Sequence, residues 1–188
     1  LTTLLFTSLF TILMSLNESY ETYNFRQVGG YSDGTFKELS EEQVEKISAH
    51  PGIREAGERI VCGFCTTGVF GKVPAEVSYM DKNCTKWSYA TPTTGREPKQ
   101  SNEIAMDTVA LKLLGVTPEL GAKVTIEYQA GDKTNEGFQE TDTFILSGYW
   151  EYDDLMPVHY INVSKDYVKS VEEKWVASGE KAFRTDLN

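Results

Sequence analysis

Three cysteines are the residues of this chain with the most versatile chemistry. Cys62 and Cys65 have the C-x-x-C spacing of redox and zinc sites, and Cys84 lies further along the chain. A structural zinc site needs four ligands at short spacing, and no second C-x-x-C is present. The sequence favours ordinary, partly buried thiols, with one disulfide or a metal or redox role for the pair as the alternatives.

The two histidines, His50 and His159, limit the nucleophilic mechanisms that the chain could use. A Ser-His-Asp or Cys-His mechanism would need one of them. His50 precedes Pro51 at a predicted helix end, where a cation interacts favourably with the helix dipole. His159 lies in a strand-like run, which favours a hydrogen-bonded structural side chain.

Nucleotide and hydrolase motifs are missing from the sequence. The segment Gly63 to Gly68 begins like a phosphate-binding loop, but Val69 and Phe70 replace the Lys and Ser or Thr that this loop requires. No G-x-G-x-x-G, H-E-x-x-H or G-x-S-x-G motif occurs. We therefore predict no catalytic residue, no cofactor and no metal, and expect that the chain is not an enzyme.

Helix caps and hydrophobic periodicity predict the elements that position these residues. Ser40 and Gln43 form a capping box before a helix that ends near His50. Two more helices are predicted at 108–114, with Asp107 as N-cap, and at 164–177. Strand-like runs occupy Arg59 to Phe64, Val73 to Tyr79, Glu103 to Met106, Lys123 to Gln129, Thr143 to Tyr149 and Val158 to Val163. This mixture predicts an α+β fold with mixed or antiparallel sheets, a few short helices and two small subdomains.

Residues 1–16 carry no charge, whereas the rest of the chain is polar and acidic. Sixteen helical residues extend about 24 Å, less than the roughly 30 Å hydrocarbon core of a bilayer. We expect this segment to be the outer end of a truncated transmembrane helix. A signal-peptide core and a buried helix are the alternatives.

The remaining residues, 17–188, can form a hydrophobic core because 40% of the chain is hydrophobic. The formal net charge is −10 and no stretch is basic, which argues against a nucleic-acid partner.

The segment from Trp87 to Trp150 holds the most specific pattern. Its motifs are, in order, Gly95-Arg96-Glu97-Pro98, Asn102-Glu103-Ile104-Ala105, Leu114-Gly115, Leu120-Gly121 and Phe144-Ile145-Leu146-Ser147-Gly148. Their order resembles the extracytoplasmic core domain of FtsX/MacB-like ABC transporter permeases. In that family a G-R-x-P turn, an N-E-[IV]-[AV] strand, a helix ending in L-G, an L-G turn, a hairpin and an F-x-[IVL]-x-G strand recur.

That resemblance implies a non-catalytic domain at the cell membrane, on the extracytoplasmic side, incomplete at its C-terminal end. It would couple ATP hydrolysis by a cytoplasmic ABC ATPase, through the rest of the permease, to export or efflux of a substrate. Its external partner would be an adaptor, a hydrolase, or a peptide or lipid substrate. A membrane-anchored or secreted ligand-binding protein is the alternative, and a secreted hydrolase using carboxylates is a second rival.

Two exposed segments are predicted as contact surfaces. One is the polar hairpin tip Gly131 to Glu140, and the other is the aromatic-acidic loop Trp150 to Leu155. Aromatic side chains commonly anchor interfaces. The predicted partner or substrate contacts in this loop are Trp150, Tyr152, Asp153 and Asp154. Loops without a partner, or a sugar or cation site, would show the same pattern.

Overall fold

The computed structural model of the chain describes residues 2–27, 32–133, 136–177, 179 and 182–188. The described helices are α1 Thr2–Gln27, α2 Glu41–Ser48, α3 Lys82–Trp87, α4 Thr108–Leu113 and α5 Lys165–Ala177. The described strands are β1 Phe36–Leu39, β2 Glu58–Cys65, β3 Ala75–Met80, β4 Thr94–Gly95, β5 Glu103–Asp107, β6 Lys123–Lys133, β7 Glu136–Trp150, β8 His159–Val163 and β9 Thr185–Leu187. The α+β class with a mixed sheet is confirmed.

Within the described residues, nine strands form one sheet. Strands β3 and β8 pair in parallel, as do β5 and β7, and the other pairings are antiparallel. Because β6 pairs with both β7 and β2, the six strands β2, β3, β8, β5, β7 and β6 close into a ring. Strands β9 and β1 extend the sheet beyond β2, and β4 pairs with β7.

The main hydrophobic core lies inside this ring and beneath α5. Alternate residues of β6 and β7 supply much of it, including Val124, Ile126, Phe144 and Leu146. Helix α5 adds its apolar stripe, and Trp175 packs near Phe138 and Phe183. Period-2 alternation in the strands and helical spacing in α5 therefore bury the residues that the pattern predicts.

The predicted helix starts are confirmed in detail. Ser40 Oγ accepts a hydrogen bond from the Gln43 backbone N–H, and the Gln43 side chain accepts one from the Ser40 N–H. Asp107 Oδ1 accepts from the Ala110 N–H at 2.7 Å, which caps α4. These bonds satisfy backbone donors that the first turn of a helix leaves free.

The predicted hairpin tip from Gly131 to Glu140 is shorter in the structure, because most of the described part of that segment is strand. Strand β6 continues to Lys133 and β7 begins at Glu136, so the hairpin ladder runs almost to its tip. Residues 134 and 135 lie outside the described residues. The polar composition hid these strands, because Phe138, which packs against the core, is the one apolar residue of the segment and a single residue sets no alternation.

Helix α1 continues from the apolar residues through the polar segment to Gln27. Its apolar side chains are 53% to 71% exposed between Leu4 and Leu16, so α1 is not buried in the core of this chain. In the described residues, no helix combines the length and the apolar character needed to cross a membrane.

Candidate functional site

The most specific sequence motifs meet where β4 lies against β7. Gly95 has a φ of +80°, and a Cβ at this position would overlap the carbonyl oxygen of Ser147. A Cβ at Gly148 would overlap the carbonyl oxygen of Arg96. The two glycines thus allow the strand backbones to approach more closely than any side chain permits.

Glu103, at the start of β5, holds the turn that follows Gly95. Its two carboxylate oxygens accept hydrogen bonds from the Arg96 guanidinium at 2.8 and 2.5 Å. The backbone N–H groups of Lys99 and Gln100 also donate to this carboxylate, at 2.8 and 3.1 Å. We call this unit, Gly95–Gln100 with Glu103, the Glu103 clasp.

The electrostatics of the Glu103 clasp follow from these bonds. Hydrogen bonding by Arg96, followed by the two backbone donors, lowers the pKa of Glu103 to about 2. The same contact raises the pKa of Arg96. A bidentate ion pair with both partners charged at neutral pH fixes the path of the turn. The motif therefore holds the local structure of the turn.

A buried carboxylate-histidine pair lies at the other end of β5. Asp107 Oδ2 is 2.9 Å from His159 Nδ1, and both side chains are at most 2% exposed. The His159 ring packs against Tyr152 at 4.4 Å and Phe70 at 5.9 Å between ring centroids. His159 is the structural side chain that its position in a strand predicts, since Asp107 uses one oxygen to cap α4 and the other to hold the ring.

The three cysteines are free and buried. Burial raises the pKa of the Cys65 thiol to about 12 and that of Cys84 to about 11, and it raises the pKa of Cys62 further. Only thiolates act as nucleophiles and metal ligands, so these thiols are in their unreactive form at neutral pH. In the part of the chain that the structure describes, no group of three His, Cys, Asp or Glu residues is placed to hold a metal.

The four predicted contact residues differ in their environments. Trp150 is 5% exposed and packs with Ala90 and Ala105, so the expectation that the whole aromatic-acidic loop is exposed is wrong at this residue. Tyr152 donates its hydroxyl to the Met156 carbonyl oxygen at 2.7 Å. Asp153 accepts from the Leu155 N–H and forms an ion pair with Arg26.

Asp154 is the exposed member of that set. The structure therefore brings Tyr152 and Asp153 into local contacts and leaves Asp154 on the surface. The role of the loop as a contact surface remains a prediction, and Asp154 is the side chain through which it is best tested.

Sequence analysis did not find the Glu103 clasp or the partner of His159. The signal for the clasp is an Arg inside the turn that Gly95 and Pro98 bound and a Glu seven residues after that Arg. The pairing of Asp107 with His159 joins residues 52 positions apart, so it depends on how β5 and β8 align.

Comparison with known proteins identifies a structural similarity. The chain is similar to an extracellular domain of an ABC-type transporter. That domain belongs to the noncanonic ABC-type transporter YknZ from Gram-positive bacteria. The two chains share 12% sequence identity, the likeness covers 79% of this chain and 71% of that one, and the TM-score is 0.46.

At this level of similarity the chain is not assigned to a family. No protein-family model matches it. No curated protein matches it either.

Proposed function

We propose that this chain is a non-catalytic extracytoplasmic domain of an ABC-type permease subunit of the FtsX/MacB-like group. The order of its motifs between Trp87 and Trp150 supports this assignment, because those motifs resemble the pattern of that family. Three of these motifs contact one another at the Glu103 clasp: the G-R-x-P turn, the N-E strand and the glycine of the F-x-x-x-G strand.

One observation carries the mechanism: α1 runs without interruption from exposed apolar residues to a contact with the core. Arg26, in its last turn, forms an ion pair with Asp153 and lies over the Tyr89 ring, 4.6 Å from the centroid. A helix of 26 residues is about 39 Å long. A rigid element of this length transmits a displacement at its apolar end to the loops that hold its other end.

In this proposal, residues 1–16 lie in the membrane and residues 17–188 outside the cytoplasm. A cytoplasmic ABC ATPase, acting through the rest of the permease, would displace α1 during its hydrolysis cycle. The core would then act on an adaptor, a hydrolase, or a peptide or lipid substrate. Asp154 and the tip of the β6–β7 hairpin are the proposed contact points.

The test begins with the intact gene product, isolated from the membranes of its source. We expect an ATPase subunit with a nucleotide-binding site to copurify, and we expect transport or partner activation to depend on ATP. Isolation of the chain without an ATPase, as a singly anchored or secreted ligand-binding protein, would establish the alternative function and exclude the permease assignment.

A substitution at the end of α1 tests the coupling step itself. Arg26→Gln removes the charge that pairs with Asp153, so transport per ATP hydrolysed should fall while the ATPase still copurifies. Arg184→Gln is the matched control, because Arg184 is exposed on the core. Equal transport in both variants would contradict mechanical coupling through Arg26.

A further inference from the structure

A polar cleft lies where β1, β2 and β9 meet the segment before β8. Its volume is about 360 Å³, which is within the range of about 300–1,000 Å³ typical of small-molecule sites. Its lining residues are Arg26, Thr35, Lys37, Arg59, Ser88, Met156, Pro157, Tyr160, Asp186 and Asn188. We call it the Arg59 cleft.

The charge of the Arg59 cleft is opposite to that of the chain. Three cationic side chains, Arg26, Lys37 and Arg59, line it together with one carboxylate, Asp186. The chain as a whole has a formal net charge of −10. The three cations against one carboxylate give the lining a net positive charge, which favours an anionic ligand.

Two of the three cations already have a partner outside the lining. Arg26 pairs with Asp153, and Arg59 pairs with Glu76 at 2.8 Å. Lys37 is exposed, and it forms no ion pair with any residue that the structure describes. Its ammonium group is therefore available to a ligand in the cleft.

Arg59 retains unused hydrogen-bonding capacity. Within the described part of the chain, the Arg59 side chain donates one hydrogen bond, to Glu76, although a guanidinium carries five N–H donors. Its Nε is buried and has no hydrogen-bond partner. Burial raises the pKa of Glu76, and the charge of Arg59 opposes that rise. The Arg59 side chain as a whole is 25% exposed and lines the cleft, so the donors that Glu76 and burial leave accessible can bind a ligand there.

From this geometry we infer that the Arg59 cleft binds a small soluble anion that carries a carboxylate or phosphate group. The guanidinium of Arg59 receives the anion as a planar donor group, and Lys37 contributes a second positive charge at the opening. Guanidinium groups match the geometry of both carboxylate and phosphate oxygens.

A soluble anion fits the cleft better than a lipid headgroup, an argument that rests on the membrane placement proposed above. Ten residues of α1 separate Leu16 from Arg26, which is about 15 Å along the helix. The polar layer of one leaflet is about 5–8 Å thick. The cleft beside Arg26 is therefore beyond the reach of headgroups when residues 1–16 are in the hydrocarbon core.

The experiment is a calorimetric titration of the whole chain, in a neutral detergent, with inorganic phosphate and with citrate at constant ionic strength. We expect saturable binding at one site. Lys37→Gln should weaken it about threefold to fivefold, the effect of losing one exposed charge. Lys72→Gln is the matched control, because it removes the same charge from an exposed position outside the cleft and should leave binding unchanged.

A second variant tests Arg59 without leaving Glu76 unpaired. Arg59→Lys keeps the positive charge but loses the planar group of donors, so binding should fall at least tenfold while the thermal unfolding transition shows a folded protein. Equal weakening by Lys37→Gln and Lys72→Gln, or no binding of either anion at millimolar concentration, would overturn the assignment.

A short-chain phosphatidic acid, dispersed as monomers, separates the two sources of phosphate. We expect it to bind no more tightly than inorganic phosphate. Binding at least tenfold tighter that is lost in Lys37→Gln would overturn the choice of a soluble ligand. None of these titrations requires an ATPase or a membrane, so their failure and the failure of the permease assignment are distinguishable.

Discussion

Glu103 shows how one carboxylate can determine the path of a turn. It accepts two hydrogen bonds from Arg96 and two from backbone N–H groups, so its loss would leave the turn without its central acceptor. Because Arg96 is 47% exposed, solvent screens part of the ion pair. The two backbone hydrogen bonds to the carboxylate add to the contribution of the ion pair.

Glu103→Gln should lower the free energy of unfolding by about 1–2 kcal/mol at pH 7. The folded pKa of Glu103, about 2, is below its unfolded value of about 4.3. Its contribution is therefore complete above the unfolded pKa and is lost as the pH falls through the folded pKa. The difference between the two proteins should shrink between about pH 5 and pH 2.

Urea unfolding of both proteins in neutral detergent, at pH 7 and pH 3, measures this difference. Glu119→Gln is the control, because Glu119 is exposed and makes no side-chain hydrogen bond to a described residue. An equal difference at pH 7 and pH 3 would show that the charge of Glu103 is not what stabilises the turn.

At the scale of residues, sequence predicts the interactions that are local. The Ser40 capping box and the Asp107 cap lie within a few positions of their partners, and both are confirmed. The burial of Trp150 is also predictable from the sequence, since Phe144, Leu146, Gly148 and Trp150 alternate with half-buried residues along β7. The acidic residues that follow Trp150 are typical of an exposed loop and mask that period-2 signal.

Among the elements, the contact of β4 with β7 depends on glycine. Gly148→Ala should destabilise the fold by about 1–3 kcal/mol, the usual effect of overpacking, because its Cβ would overlap the Arg96 backbone and crowd Pro92. Gly34→Ala should change stability by less than about 0.5 kcal/mol, since a Cβ there meets no atom within 4 Å. Thermal unfolding of the two variants compares them directly, and equal effects would contradict the close approach.

The other elements differ in how well the local sequence predicts them. Helices α2, α4 and α5 and most strands with an apolar face lie within a few residues of their predicted bounds, whereas β7 begins seven residues before its predicted start. Helix α3 and strands β1, β4 and β9 were missed, because each is six residues or shorter and carries little periodicity. Their position is determined by the partner strand or by the Asp81 cap of α3.

The closure of the sheet into a ring depends on pairing between residues that are far apart in the chain. Strands β2 and β6 pair at Gly63 and Phe64, more than 60 residues from Gln129 and Ala130. A Cβ at Gly63 would overlap the Tyr128 ring, so the glycine admits the tyrosine at the seam. No local pattern specifies a partner at this distance, which is why the class of the fold could be predicted and the ring could not.

The proposed division of the molecule between membrane and exterior depends on residues 1–16. Leu9 is 54% exposed in the middle of that segment. Replacing Leu by Arg at the centre of a membrane helix costs about 3–4 kcal/mol, which is a shift of about 100-fold to 1,000-fold in the insertion equilibrium. In Leu9→Arg, the share of the chain that resists carbonate extraction from membranes should fall sharply. Thr22→Arg adds the same charge to the polar part of α1 and should leave that share unchanged. Full retention of Leu9→Arg in the membrane would show that residues 1–16 are not what holds the chain there.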